Sequence, residues 1–274
     1  MLAEKLQNVK TRRPLVHNIT NYVTVNDCAN ILIACGGSPI MSDDPQDAEE
    51  ITAICGGLNI NIGTLNQRTI PAMLKAGKKA NELHHPVILD PVGVGASSVR
   101  TETALRLLNE VKFAVIRGNI SEIKTLAVGQ GSTQGVDASV ADAVTADNLD
   151  SVIALARAFS EKTGAVIAIT GATDIVSSSD TTYLITNGVA MMADITGSGC
   201  MLTAMTAAYI TANPASVLEA VVASVCAMGL CGEKALELTQ KNGGGNSSFR
   251  NHLIDCVYNL TPDDLEEGAK YEMR

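Results

Sequence analysis

The stretch Asp194-Ile195-Thr196-Gly197-Ser198-Gly199-Cys200, followed at once by the small, apolar run Met201 to Ala208, joins a glycine loop to the start of a helix. Glycines let backbone N–H groups converge on one point, and the first helical turn adds unpaired donors with a partial positive charge. Gly197, Ser198 and Gly199 are therefore expected to form an anion hole, with a phosphoryl group in transfer as its occupant. Cys200 falls in the first turn, where the same field is expected to stabilise a thiolate and make the side chain a proton acceptor. Taken alone, the segment also reads as a plain helix cap followed by a small buried cysteine.

Polar groups also stand where three apolar strands stop: Asp90, then Arg117 with Asn119 and Glu122, then Thr170. Mg²⁺ takes hard oxygen donors and usually keeps waters, so Asp90 and Glu122 are the candidate metal ligands, directly or through water. Arg117 would neutralise phosphate charge, and Thr170 would place a hydroxyl near it. Each has a plainer reading: Asp90 as a turn residue before Pro91, Glu122 as a helix-start pair with Asn119, Arg117 as a surface cation. The set is more specific than its members, because all fall at strand ends expected to face one edge. No Gly-x-x-x-x-Gly-Lys-Ser/Thr loop is present, which excludes an ordinary P-loop enzyme. His17 reads as a strand-end histidine with a satisfied hydrogen bond, and Gly243 to Gly245 as a turn between helices.

The elements that must position these groups alternate strand and helix. Strands are predicted over Pro14 to Ile19, Ser38 to Met41, Leu58 to Ile62, Val87 to Asp90, Phe113 to Arg117 and Ala165 to Thr170, with a hairpin of Asp174 to Val176 and Tyr183 to Ile185. Helices are predicted between them over Val23 to Cys35, Gln46 to Cys55, Gln67 to Leu83, Arg100 to Asn109, Ser121 to Leu126 and Ala146 to Thr163. The chain after Gly197 reads as helical until Gly268. Gly129 to Ser139 reads as a surface excursion beside the site. This order implies one α/β domain across residues 1–274, with a mostly parallel sheet flanked by helices and function at the carboxyl ends of the strands.

The bulk properties agree. The 274 residues are 46% hydrophobic and 18% charged, which suits a buried parallel sheet. The net charge of −9, with no run of Lys and Arg, argues against nucleic acid or anionic membrane as a partner. No window supplies the roughly 20 apolar residues of a membrane span. The N-terminus lacks the apolar core of a signal peptide, so a cytoplasmic protein is expected. Seven scattered cysteines without a Cys-x-x-Cys pair fit reduced thiols rather than zinc.

The chain resembles the hydroxyethylthiazole kinases of the ribokinase-like superfamily. The resemblance rests on His17-Asn18-Ile19-Thr20-Asn21, Pro39-Ile40-Met41-Ser42, Asn61-Ile62-Gly63-Thr64-Leu65 and Leu89-Asp90-Pro91-Val92-Gly93-Val94-Gly95. It continues through Ile116-Arg117-Gly118-Asn119-x-x-Glu122, Ile169-Thr170-Gly171 and Thr196-Gly197-Ser198-Gly199-Cys200. It implies a ribokinase-like fold and ATP-dependent phosphorylation of the alcohol of 4-methyl-5-(2-hydroxyethyl)thiazole, for thiamine synthesis. It further implies ATP contacts from Arg117 and Thr170, Mg²⁺ at Asp90 and Glu122, and substrate contacts from Met41, Gly197, Asn21 and Gly63. Cys200 would lie beside the attacking hydroxyl, where related sugar and vitamin kinases carry Asp. A homotrimer with substrate pockets between subunits is implied as well. Two other readings are a nicotinamide-nucleotide repair dehydratase of the same fold, which would keep Asp at position 200, and a noncatalytic thiazole- or nucleotide-binding protein.

Overall fold

The computed structural model describes residues 1–129, 144, 145 and 147–274. Its centre is a sheet of nine strands among the described residues, in the order β2-β1-β3-β4-β5-β6-β7-β8-β9. The strands are β1 (Leu15–Ile19), β2 (Ser38–Met41), β3 (Gly57–Asn61), β4 (Val87–Asp90), β5 (Val115–Asn119), β6 (Val166–Thr170), β7 (Asp174–Ser177), β8 (Thr182–Ile185) and β9 (Tyr271–Met273). All pairings from β2 to β6 are parallel, and β7, β8 and β9 extend the sheet antiparallel. Parallel register brings Asn61 opposite Asp90 and Asn119 opposite Thr170. The strand order reverses at β1, which opens a crevice at the carboxyl ends of β1 and β3.

Alternating side chains of the strands feed two cores. Ile88, Val115 and Ala168 face the layer built by α1 (Leu2–Arg12), α2 (Val25–Ala34), α8 (Ser198–Ala212), α9 (Val217–Lys241) and α10 (Asn246–Asn259). Leu89, Ile116 and Ile169 face the layer of α3 (Ala48–Ile54), α4 (Thr69–Glu82), α5 (Ser98–Glu110), α6 (Ile120–Val128) and α7 (Leu149–Thr163). A short α11 (Pro262–Gly268) packs on α1 and α9. Helix α8 is buried at 12 of its 15 positions, so its direction is set by packing on all sides.

Three elements escape the sequence reading. Helix α1 buries Leu2, Leu6 and Val9 on one stripe, and a 3-10 turn spans Ala190–Asp194. Strand β9 is exposed at every position, so no apolar run announces it. The excursion expected over Gly129 to Ser139 falls, from residue 130 on, outside the described residues, as does the expected helix start at Ala146.

Candidate active site

The glycine loop before α8 takes the form its residues dictate. Gly197 caps α8 with φ +86°, and a Cβ there would run into Thr24 Cγ2, so only glycine fits. The first helical bond runs from Met201 N–H to the Gly197 carbonyl, which leaves the amides of Ser198, Gly199 and Cys200 ahead of the helical ladder. A Cβ on Gly199 would stand 2.5 Å from Arg117 Nη1, so the absent side chain lets the guanidinium lie against the helix start. The same guanidinium donates from Nη2 to Thr170 Oγ1 at 2.6 Å, and Nη1 stands 3.5 Å from Asp90 Oδ1. Strands β4, β5 and β6 thus deliver Asp90, Arg117 and Thr170 to one spot beside α8.

Asp90 is fully buried. Its Oδ2 accepts Asn61 Nδ2–H and the Thr203 hydroxyl, each at 2.8 Å, while Oδ1 has no hydrogen-bond partner. Burial pushes its carboxyl up, opposed by Arg117, Thr203 and Asn61. Glu122 closes a capping box with Asn119, and its two oxygens accept N–H bonds from Gly93 and Asn119 at 2.9 and 2.8 Å. Its carboxyl is raised by burial and then by the charge of Asp90. The plainer reading of Glu122 as a helix-start pair is therefore also real; the same side chain caps α6 and faces Asp90. Two raised carboxylates, one with an orphaned buried oxygen, make a donor set short of a cation, and hard oxygens suit Mg²⁺. Among the described residues no three His, Cys, Asp or Glu side chains form a metal cage, so water would complete the coordination.

Cys200 sits in a cradle of two asparagines. Asn21 Nδ2 and Asn61 Nδ2 donate to its Sγ at 3.2 and 3.3 Å. Backbone donors fix both amides: Asn21 Oδ1 accepts Thr24 N–H, and Asn61 Oδ1 accepts Gly63 N–H. The expected resting thiolate is corrected here. Only 9% exposed, the thiol is pushed up by burial first and by the charge of Asp90 second, against the opposing pull of Thr24, Arg117 and Asn21.

Two cavities flank this centre. The larger, about 580 Å³, is lined by Arg117, Thr170, Ser198 and Gly199 at one side and by Val189, Met192 and Met228 at the other. Asp174 also lines it; its carboxyl accepts Gly171 N–H at 2.8 Å and burial pushes it up to about 6. The smaller, about 190 Å³, contains Met41 with Asn18, Tyr22 and Thr64. Gly197 and Cys200 line neither cavity. Gly63 ties the loop after β3 to Asn61, and its carbonyl accepts Arg100 Nη2–H at 2.8 Å. His17 is buried between Thr52 Oγ1 and the Ser42 carbonyl, as expected of a satisfied histidine, and burial lowers its pKa. Gly243 to Gly245 form the turn between α9 and α10 and do not line the larger cavity.

Sequence reasoning assigned no role to Thr203, Asn61, Arg100 or Asp174. A threonine one turn after Cys200 is the available signal for Thr203. Asn61 could have been found from its place at the end of an apolar strand, like Asp90.

Known proteins share this chain's sequence and fold. Residues 6–263 match the model of a family described as "HK: Hydroxyethylthiazole kinase family". A protein of Clostridium acetobutylicum named hydroxyethylthiazole kinase is 66% identical over 272 residues, covering 99% of each chain. The solved hydroxyethylthiazole kinase structure from Pyrococcus horikoshii OT3 is 32% identical, with a TM-score of 0.87 over 100% of this chain and 98% of that one. A ribokinase-like superfamily protein from Enterococcus faecalis shares the fold at 11% identity, with a TM-score of 0.62 over 94% and 89%.

Proposed function

The chain belongs to the hydroxyethylthiazole kinase family, and on that premise we propose that it transfers the γ-phosphoryl group of ATP to the hydroxyl of 4-methyl-5-(2-hydroxyethyl)thiazole, giving the thiazole phosphate of thiamine synthesis. The observation that carries the mechanism is the convergence of Arg117, Thr170 and the α8 start at Ser198 and Gly199, with their open amides, on one wall of the larger cavity. Triphosphate binds there, and the thiazole binds on the side of Met41, Asn21, Gly63 and Gly197. Transfer is in line: the alcohol oxygen bonds to the γ-phosphorus as the bond to the bridging oxygen breaks. Negative charge developing on the phosphoryl oxygens meets the α8 amides and Arg117, which are pre-aimed and need no reorganisation.

Asp90 and Glu122 would hold Mg²⁺ with water, and its chemistry when bound is to neutralise phosphate charge and relieve the two raised carboxylates. Cys200 is a neutral thiol at rest. It therefore orients the attacking hydroxyl and assists late proton removal: once bonding to phosphorus has made the proton acidic, it passes to a phosphate oxygen or to water. A homotrimer closing the smaller cavity is supported by Tyr22, 78% exposed beside it, and by exposed Val23. A cytoplasmic location is consistent with the absence, among the described residues, of a helix long and apolar enough to cross a membrane.

The test is ADP formation from ATP and Mg²⁺ with the thiazole alcohol, beside hydroxymethylpyrimidine and a no-acceptor control. Thiazole-dependent ADP with a phosphorylated product by mass is expected; no turnover from folded protein that binds ATP refutes the reading. In the same assay Cys200→Ala should lower kcat by about 10- to 100-fold with KM for ATP unchanged.

A further inference from the structure

The polar side chains of the larger cavity are unevenly spent. Among the described residues lining it they are Arg117, Thr170, Asp174, Asn187 and Ser198. Arg117, Thr170 and Ser198 belong to the anion cradle, and Asp174 is tied to the Gly171 amide beside that cradle. Asn187 alone stands in the wall formed by the 187–193 loop and α9, where a Cβ on Gly229 would meet Asn187 at 2.7 Å.

Asn187 is fully engaged. Its Nδ2 donates to Glu233 Oε1 at 3.1 Å and to the Gly268 carbonyl at 3.0 Å, and its Oδ1 accepts Lys270 N–H at 2.7 Å. The neighbouring Gly188 N–H is taken by Glu233 Oε1 at 3.0 Å, and Met192 N–H by the Val189 carbonyl at 3.1 Å. The remaining lining, from Val189, Met192, Leu202, Val225 and Met228 with alanines and glycines between them, offers a nucleobase contact area and, among the described residues, no side-chain donor or acceptor.

Resting on the reading of this cavity as the triphosphate site, we propose that the protein selects its phosphoryl donor by the phosphates and not by the base, so that GTP, ITP, CTP and UTP serve as donors beside ATP. A site built to hydrogen-bond a substrate group rejects analogues lacking it by about 10⁴-fold or more, whereas an apolar wall discriminates by about 10- to 200-fold through contact area alone. The purines present equal area to this wall and the pyrimidines less. GTP and ITP therefore fall within about threefold of ATP in kcat/KM, and CTP and UTP within about thirtyfold, with the loss in KM rather than kcat.

The experiment measures kcat/KM for the five triphosphates with saturating thiazole alcohol and Mg²⁺, following thiazole phosphate by mass so that no coupling enzyme filters the donors. A preference for ATP over GTP below about tenfold supports the inference; a larger one overturns it and shows that backbone groups read the base. Activity with ATP alone leaves the kinase reading standing, whereas inactivity with all five overturns that reading and this inference with it.

Discussion

Asp90, Glu122, Asp174 and Cys200 are ionisable groups taken out of water around one guanidinium, and each is held toward its neutral form by that burial. Asp174 offers the clearest consequence. Its carboxyl moves from 3.8 up to about 6, so the folded state holds the proton more tightly than the unfolded chain. The stabilisation is fully present below about pH 4 and is lost as the pH rises through about 6. Asp174→Asn keeps an oxygen for Gly171 N–H and removes the titration. The variant should gain on the parent between about pH 4.5 and 7, by no more than about 3 kcal/mol, since the residue is only half-buried and solvent screens its charge. Urea unfolding at the two pH values measures this; an equal difference at both would refute it. At this scale the legible residues are polar ones that end an apolar strand, as Asp90, Arg117 and Thr170 do. Thr203 is far less legible: its spacing one turn after Cys200 is the only cue, and a threonine inside an apolar helix looks like core until Asp90 is seen beside it.

Among the elements, the start of α8 presents the open amides and β5 supplies the cation that meets them. Gly199 is the point of contact. Gly199→Ala adds a Cβ 2.5 Å from Arg117 Nη1 while improving helix propensity by about 1 kcal/mol, so packing and function part company. The variant should keep its thermal stability and raise KM for ATP by about 10- to 100-fold, the worth of a charge-assisted hydrogen bond or two. Steady-state kinetics with ATP varied decides it, and an unchanged KM would mean that Arg117 does not hold the triphosphate. The parallel strands are legible because each is a short apolar run between turn residues, and β2 and β4 match their predicted bounds. Helices α2 to α6 shift at their ends by one or two residues from the expected bounds, where caps compete locally. The 3-10 turn at Ala190–Asp194 carries no pattern of its own and is held by its neighbours on α9.

The molecule as a whole divides its labour across the sheet. The smaller cavity lies toward the β2 end, and the larger lies toward β7 and β8, whose edge is closed by β9. Lys270, just before β9, pins Asn187 through its N–H and Glu233 through its ammonium at 2.8 Å, so the last residues brace a wall of the larger cavity. Removing residues 270–274 should lower stability by about 1–3 kcal/mol and raise KM for ATP several-fold, with KM for the thiazole alcohol unchanged. Thermal melts and two-substrate kinetics separate these effects; an equal rise in both KM values would show a loosened fold rather than a loosened wall. Nothing in the composition of Tyr271 to Met273 announces this role, which depends on what the strand lies beside.

The burial of α8 also sets a timescale. A helix enclosed at 12 of 15 positions exposes its amide protons to exchange only when the sheet parts from the layer above it. The open amides at its start are thus mounted on a segment packed on all sides, and slow exchange along α8 reports opening of the whole layer rather than fraying of one helix.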